Sequence, residues 1–339
     1  MEITYKEYKK TINIGIELLR FILCLWVVVF HCSNIKKNHE KYLKKGFHVP
    51  IFFILSFYFY YPNAYKRLII KIKSRFRRLL YPYTFWSIFS FFLHNILLKF
   101  TSNIYSNKNL TIKDLFFQIL FGTRYYRLFW FLFNLIFISL FITIISFMAK
   151  KNFLIVLEFI GIISLYIHFF GAYYKFFISY KSNICNSLGP LITFLPLAVT
   201  GCILSSINLI LRLKNITFPL KIILFSLIYL FFEYNIYISY PGFMYPNVIA
   251  NIQISTVFIL AFGSLNLDKS KEVKGILNYI TRYTGGIYYI HIIVLRYIMF
   301  NFKNNKTYFS STLIYIISYM ICFFGDKLVT KTDFKYLFI

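Results

Sequence analysis

The chain has 339 residues, 59% of them hydrophobic, with a mean hydropathy of +0.64. A water-soluble protein of this length does not carry so much apolar surface, so the composition excludes a soluble globular domain and indicates a polytopic membrane protein. The formal net charge of +27 does not indicate a nucleic-acid binder, because the basic residues alternate with apolar runs instead of forming one soluble face. Basic loops against anionic lipid headgroups account for them.

In chain order, residues 1–13 are polar and no small-x-small site follows the first apolar run, so that run is read as a retained span and not a cleaved leader. Ten spans are expected, at about 14–34, 47–62, 79–100, 128–148, 152–172, 188–211, 217–237, 247–266, 276–299 and 308–326. Apolar runs of this length satisfy their backbone in lipid as helices, so the fold class is an all-α polytopic membrane bundle. No repeat or soluble appendage is visible, and residues 1–339 are read as one transmembrane domain. Between the third and fourth spans, Thr111–Gly122 is too short to cross and is expected on the membrane surface. The basic segment YKRLIIKIKSRFRRLLYP between spans two and three argues for both termini inside, whereas Lys36, Lys37, Lys41, Lys44 and Lys45 argue the other way.

The first span carries the informative residues. Arg20 and His31 share the run GIELLRFILCLWVVVFHCSNI, and both are costly in hydrocarbon. Eleven helical steps of about 100° return to within about 20° of the starting direction, so both residues share one face. Along the axis they stand about 16 Å apart. Neutral imidazole can take a proton from an attacking hydroxyl or carry an acyl group covalently. A hydrogen-bonded interfacial histidine is the other reading of His31. Arg20 stays charged and suits a phosphate or a thioester carbonyl, and Glu17, three residues earlier, can pair with it and orient it.

Further along, Arg75, Arg77 and Arg78 sit at the inner end of the third span, where guanidinium groups suit phosphates and also lipid headgroups. Glu158 and Glu233 fall inside spans five and seven and are candidates to support an acceptor site. His291 is read as a packed residue. The histidines show no metal-ligand spacing, and the five cysteines form no CxxC pair, so no metal is expected.

Several segments, in order, resemble the membrane acyltransferase 3 family. Arg20 to His31 is similar to its R-x10-H first span, and His48-Val49-Pro50-Ile51-Phe52-Phe53-Ile54-Leu55-Ser56 to its second. Arg75-Phe76-Arg77-Arg78 followed by Pro82 resembles its basic entry to the third span, Trp130-Phe131-Leu132 its fourth, and Gly286-Ile287-Tyr288-Tyr289-Ile290-His291 its S-x-x-x-Y-L-x-H segment. Phe57 stands where that family has glycine, and Gly285 and Gly286 where serine is common.

The resemblance implies an O-acyltransferase of the cytoplasmic (inner) membrane. It would move an acyl group, usually acetyl, from acyl-coenzyme A to a hydroxyl of a cell-surface polysaccharide or lipid-linked glycan. His31 would be base or acyl carrier, Arg20 would position the donor, and Arg75 and Arg78 would bind its phosphates. The partners are then acyl-coenzyme A, a saccharide acceptor and membrane lipids, with no nucleic acid. The rival reading is an exporter of polysaccharide or lipid-linked sugar without acyl transfer, since buried Arg, Glu and His also suit a translocation path.

Overall fold

The structure, a computed structural model, describes residues 13–32, 48–61, 68–100, 110–121, 129–173, 183–207, 216, 220–221, 226–227, 248–265, 271–295, 308–329 and 337–338. Among them there are helices and turns and no strands. The helices are α1 (Ile14–Cys32), α2 (His48–Tyr60), α3 (Leu68–Phe100), α4 (Ile112–Phe121), α5 (Trp130–Ala149), α6 (Phe153–Tyr173), α7 (Asn183–Ser206), α8 (Val248–Gly263), α9 (Lys271–Thr281), α10 (Thr284–Ile293) and α11 (Tyr308–Leu328). Helix α1 is central and packs against α2, α8, α9, α10 and α11.

Among the described residues, two stretches are by length and composition long and apolar enough to cross a membrane, Trp130–Ile167 and Ser311–Leu328. That is fewer than the ten expected. The first stretch joins two expected spans through the short 3-10 turn Lys150–Asn152, where Lys150 takes φ 43°. Helices α2 and α8 are apolar but short, at 13 and 16 residues. The seventh expected span, 217–237, lies almost wholly outside the described residues.

Helix α5 buries its polar residues among apolar ones and turns an apolar face outward. Asn134, Ser139, Thr143 and Ser146 are buried, while Phe137, Phe141, Ile144 and Phe147 are exposed at helical spacing. Helix α6 exposes Ile155, Phe159 and Ile162 in the same way. A soluble protein does the reverse, and contiguous apolar faces of this kind suit hydrocarbon. Helix α4 follows the pattern too. Ile112, Phe116 and Leu120 form its exposed stripe, Gln118 is buried, and Tyr83 donates to the Gln118 carbonyl at 2.7 Å.

Two expected boundaries move. The third span was expected from residue 79, but α3 begins at Leu68, so much of the basic segment is helical. It can be helical because Arg75 turns inward to polar acceptors while Lys73, Arg77 and Arg78 face outward. Pro82 lies inside this helix and withholds the N–H that would bond to the Arg78 carbonyl. The ninth span, expected as one run at 276–299, is broken between α9 and α10. Asp326 of α11 holds the break, accepting from Arg282 at 2.7 Å and from the Tyr283 hydroxyl at 3.1 Å.

Close backbone approaches lock the bundle at two glycines. A Cβ at Gly201 of α7 would strike the Ile54 carbonyl of α2, so α2 and α7 meet there backbone to backbone. Phe57 replaces the glycine expected on α2, and the small residue is supplied from α7 instead. A Cβ at Gly286 of α10 would strike the Phe338 carbonyl. Leu337 is fixed beside it, its carbonyl accepting from the Trp86 indole at 3.3 Å.

Candidate functional site

The site is built on α1. The Asn13 side chain accepts from the Ile16 N–H at 3.2 Å and donates to the Gly263 carbonyl at 2.7 Å, which starts the helix and ties it to the end of α8. One turn on, Arg20 meets both Glu17 oxygens at 3.0 Å. The Arg20 side chain remains 38% exposed and that of Glu17 20%, so the guanidinium is held on one side and open on the other.

Above Arg20, the same face of α1 seals against α10. The Cys24 thiol donates to the Thr284 carbonyl at 3.5 Å, and Val27 and Val28 are buried. Seven residues separate Cys24 from His31 and seven separate Thr284 from His291. Equal two-turn steps on parallel helices bring the imidazoles level. Their ring centroids are 5.6 Å apart, with planes inclined at 35°.

His31 is partly buried and His291 is fully buried. Nδ1 of His291 lies 3.0 Å from the Ile287 carbonyl of its own helix. His48, buried at the start of α2, is within electrostatic reach of His31. An aromatic seam continues from these imidazoles: Tyr288 lies 6.0 Å from His291 and 5.5 Å from Phe131, and Phe131 lies 4.9 Å from Phe53. Phe53 in turn stacks on Phe194 at 4.5 Å.

Arg20 and His31 share the seam but do not meet; Cys24, Val27 and Val28 fill the levels between them. Arg20 is within electrostatic reach of Tyr289, so the guanidinium and the imidazole both address α10 at different heights. Sequence reasoning ranked His291 as packing and gave His48 no role. The signal for His291 was its place at the end of the Gly286–His291 segment. Its partner, 260 residues away in sequence, could not be read there.

Arg75 lies elsewhere. Its Nε donates to Ser139 Oγ at 2.8 Å, Nη1 to the Ser56 carbonyl at 3.2 Å and Nη2 to Ser56 Oγ at 2.8 Å. The guanidinium also covers the rings of Tyr60 at 4.3 Å and Phe57 at 4.9 Å. It thereby clamps α2, α3 and α5 together. Arg78, one turn on, is exposed. Glu158 is exposed on α6 beside Ile155, Phe159 and Ile162, and α6 packs on α5 and α7. Glu233 lies outside the described residues. Among the described residues, no three His, Cys, Asp or Glu side chains converge as a metal ion would require.

Comparison with known families gives one result: the family model described as an acyltransferase domain, acyltransferase 3, matches residues 13–325. No curated protein and no solved structure matches the chain.

Proposed function

Since this chain belongs to the acyltransferase 3 family, we propose that it is an integral-membrane O-acyltransferase, taking an acyl group, acetyl foremost, from acyl-coenzyme A to a hydroxyl of a cell-surface polysaccharide or lipid-linked glycan. The observation that carries the reading is the seating of His31 against His291 in the α1–α10 seam, on the helix that also bears Arg20. The bundle crosses the cytoplasmic membrane with ten helices and both termini inside, which sets Arg20 toward the cytoplasm and His31 toward the outer face.

In this reading Arg20, oriented by Glu17, holds the donor at the inner mouth. Its open side receives a phosphate of the coenzyme. Arg78 offers a second guanidinium to the coenzyme's phosphates. Arg75 anchors the helix that presents it and turns its remaining N–H bonds to the same ligand. About 16 Å of helix separates Arg20 from His31, and the extended pantetheine arm of coenzyme A spans that distance by passing beside the Cys24–Val28 seal. At His31 the neutral imidazole takes the proton of the acceptor hydroxyl as its oxygen attacks the thioester carbon. The C–S bond breaks, and the coenzyme A thiolate leaves and recovers the proton. Alternatively the imidazole attacks first, its N–C bond forming as the C–S bond breaks and the coenzyme A thiolate leaves; the acceptor oxygen then takes the acyl carbon as the N–C bond breaks, and its proton passes to the thiolate.

The test uses purified full-length protein in proteoliposomes with labelled acetyl-coenzyme A. Donor cleavage, read as free thiol, is expected for the parent chain. It should be abolished in His31→Ala at equal membrane insertion. Full transfer by an inserted His31→Ala protein, or sugar flux without donor consumption, overturns the reading; the latter result would make the protein an exporter.

A further inference from the structure

Acyl transfer at His31 leaves the ring of His291 without a chemical role. His291 Nε2 is buried and has no hydrogen-bond partner, although the ring is fully enclosed. Such an orphan is costly in an apolar interior, and a buried polar atom without a partner requires an explanation. Its other nitrogen determines what it can do. Nδ1 lies 3.0 Å from the Ile287 carbonyl, and a carbonyl oxygen only accepts, so the Nδ1 hydrogen is committed there. In the neutral ring Nε2 is then a bare lone pair. The ring that faces it from α1 is His31, 5.6 Å away centroid to centroid. At that separation a modest rotation of either ring brings a His31 nitrogen within hydrogen-bond distance of Nε2.

We propose that His291 is a positioning residue whose Nε2 accepts the N–H of His31, fixing the ring and tautomer of His31 so that its other nitrogen presents a lone pair to the reacting group. This rests on the acyltransferase reading for its consequence but not for its geometry. The arrangement serves either course at His31. If His31 takes the hydroxyl proton, the new N–H forms on the outer nitrogen and the imidazolium keeps its bond to His291. If His31 attacks the thioester, the new N–C bond forms on that same outer nitrogen as the C–S bond breaks and the coenzyme A thiolate leaves, and the remaining N–H can pass to His291 Nε2. Both the orientation and the added basicity follow from one acceptor, as with the second partner of a ligating or catalytic histidine.

Two variants of the full-length protein separate this from simple packing. His291→Leu fills the site but removes the acceptor. His291→Gln keeps an oxygen acceptor near the Nε2 position. With acetyl-coenzyme A, His291→Leu should lower kcat by ~30-fold, with KM for the donor unchanged, and His291→Gln should recover most of the loss. A second readout needs no turnover. Diethyl pyrocarbonate modifies unprotonated imidazole, and its rate at His31, followed by peptide mass, should fall several-fold in His291→Leu and stay near the parent rate in His291→Gln. Unchanged kcat and unchanged His31 reactivity in His291→Leu overturn the proposal, as does a glutamine variant no better than leucine in both measurements. If the parent chain cleaves no acyl-coenzyme A but His31 reactivity still follows the acceptor at 291, the acyltransferase reading fails and the positioning role stands.

Discussion

Two arginines show the contrast between two regions of this bundle. Arg20 has one acidic partner on its own helix and keeps more than a third of its surface open. Arg75 spends three N–H donors on two other helices and lies against two aromatic rings. Both are charges in a largely apolar chain, and composition does not distinguish them. Their partners do. A guanidinium tied to its own helix can turn to a ligand without loosening the fold. One that bridges three helices holds the fold as well, since removing it strands the serine acceptors and unlinks the bundle.

The contrast can be broken by substitution. The largest effect is expected from Arg75→Ala, which should cost about 3 kcal/mol or more in stability, read as lower folded yield in the membrane and an earlier thermal transition in detergent. Arg20→Ala should leave that transition almost unmoved while lowering donor cleavage about a hundredfold, equivalent to about 2.7 kcal/mol of transition-state binding. A stable Arg75→Ala protein, or an unfolded Arg20→Ala one, would reverse the assignment of roles. Glu17→Gln is the finest probe. A half-open ion pair contributes about 1 kcal/mol or less, so stability should hardly change. Donor KM should rise only a few-fold, and a hundredfold rise would mean that Glu17 touches the substrate itself.

How much of this was legible in the sequence depends on how local each cause is. The first span was expected at 14–34 and α1 runs Ile14–Cys32, because an apolar run of that length determines its own helix. The shared face of Arg20 and His31 followed from their spacing alone. The early start of α3 was not legible, because lysines and arginines at 71–78 read as a loop until Ser56 and Ser139 are seen to receive Arg75. The break at Arg282–Tyr283 was hidden for a similar reason: its cause is Asp326, forty-three residues past Tyr283. Phe57 in place of glycine suggested a lost close contact, yet Gly201 supplies the missing space from the facing helix. The pairing of His31 with His291 belongs to the same class, since nothing near either residue in sequence names the other.

The parallel run of α1 and α10 has a consequence for biosynthesis. Neighbouring helices that point the same way cannot be joined by a short turn, and 260 residues separate the two imidazoles. At a ribosomal pace of roughly 5–20 residues per second, the second ring follows the first into the translocation machinery about 13 to 52 s later. Throughout that interval the nascent first helix must keep a histidine in the bilayer with its eventual mate still untranslated. The His31–His291 pair is therefore completed late in synthesis, and a ribosome that stalls before codon 291 releases a protein in which that pair is unmade.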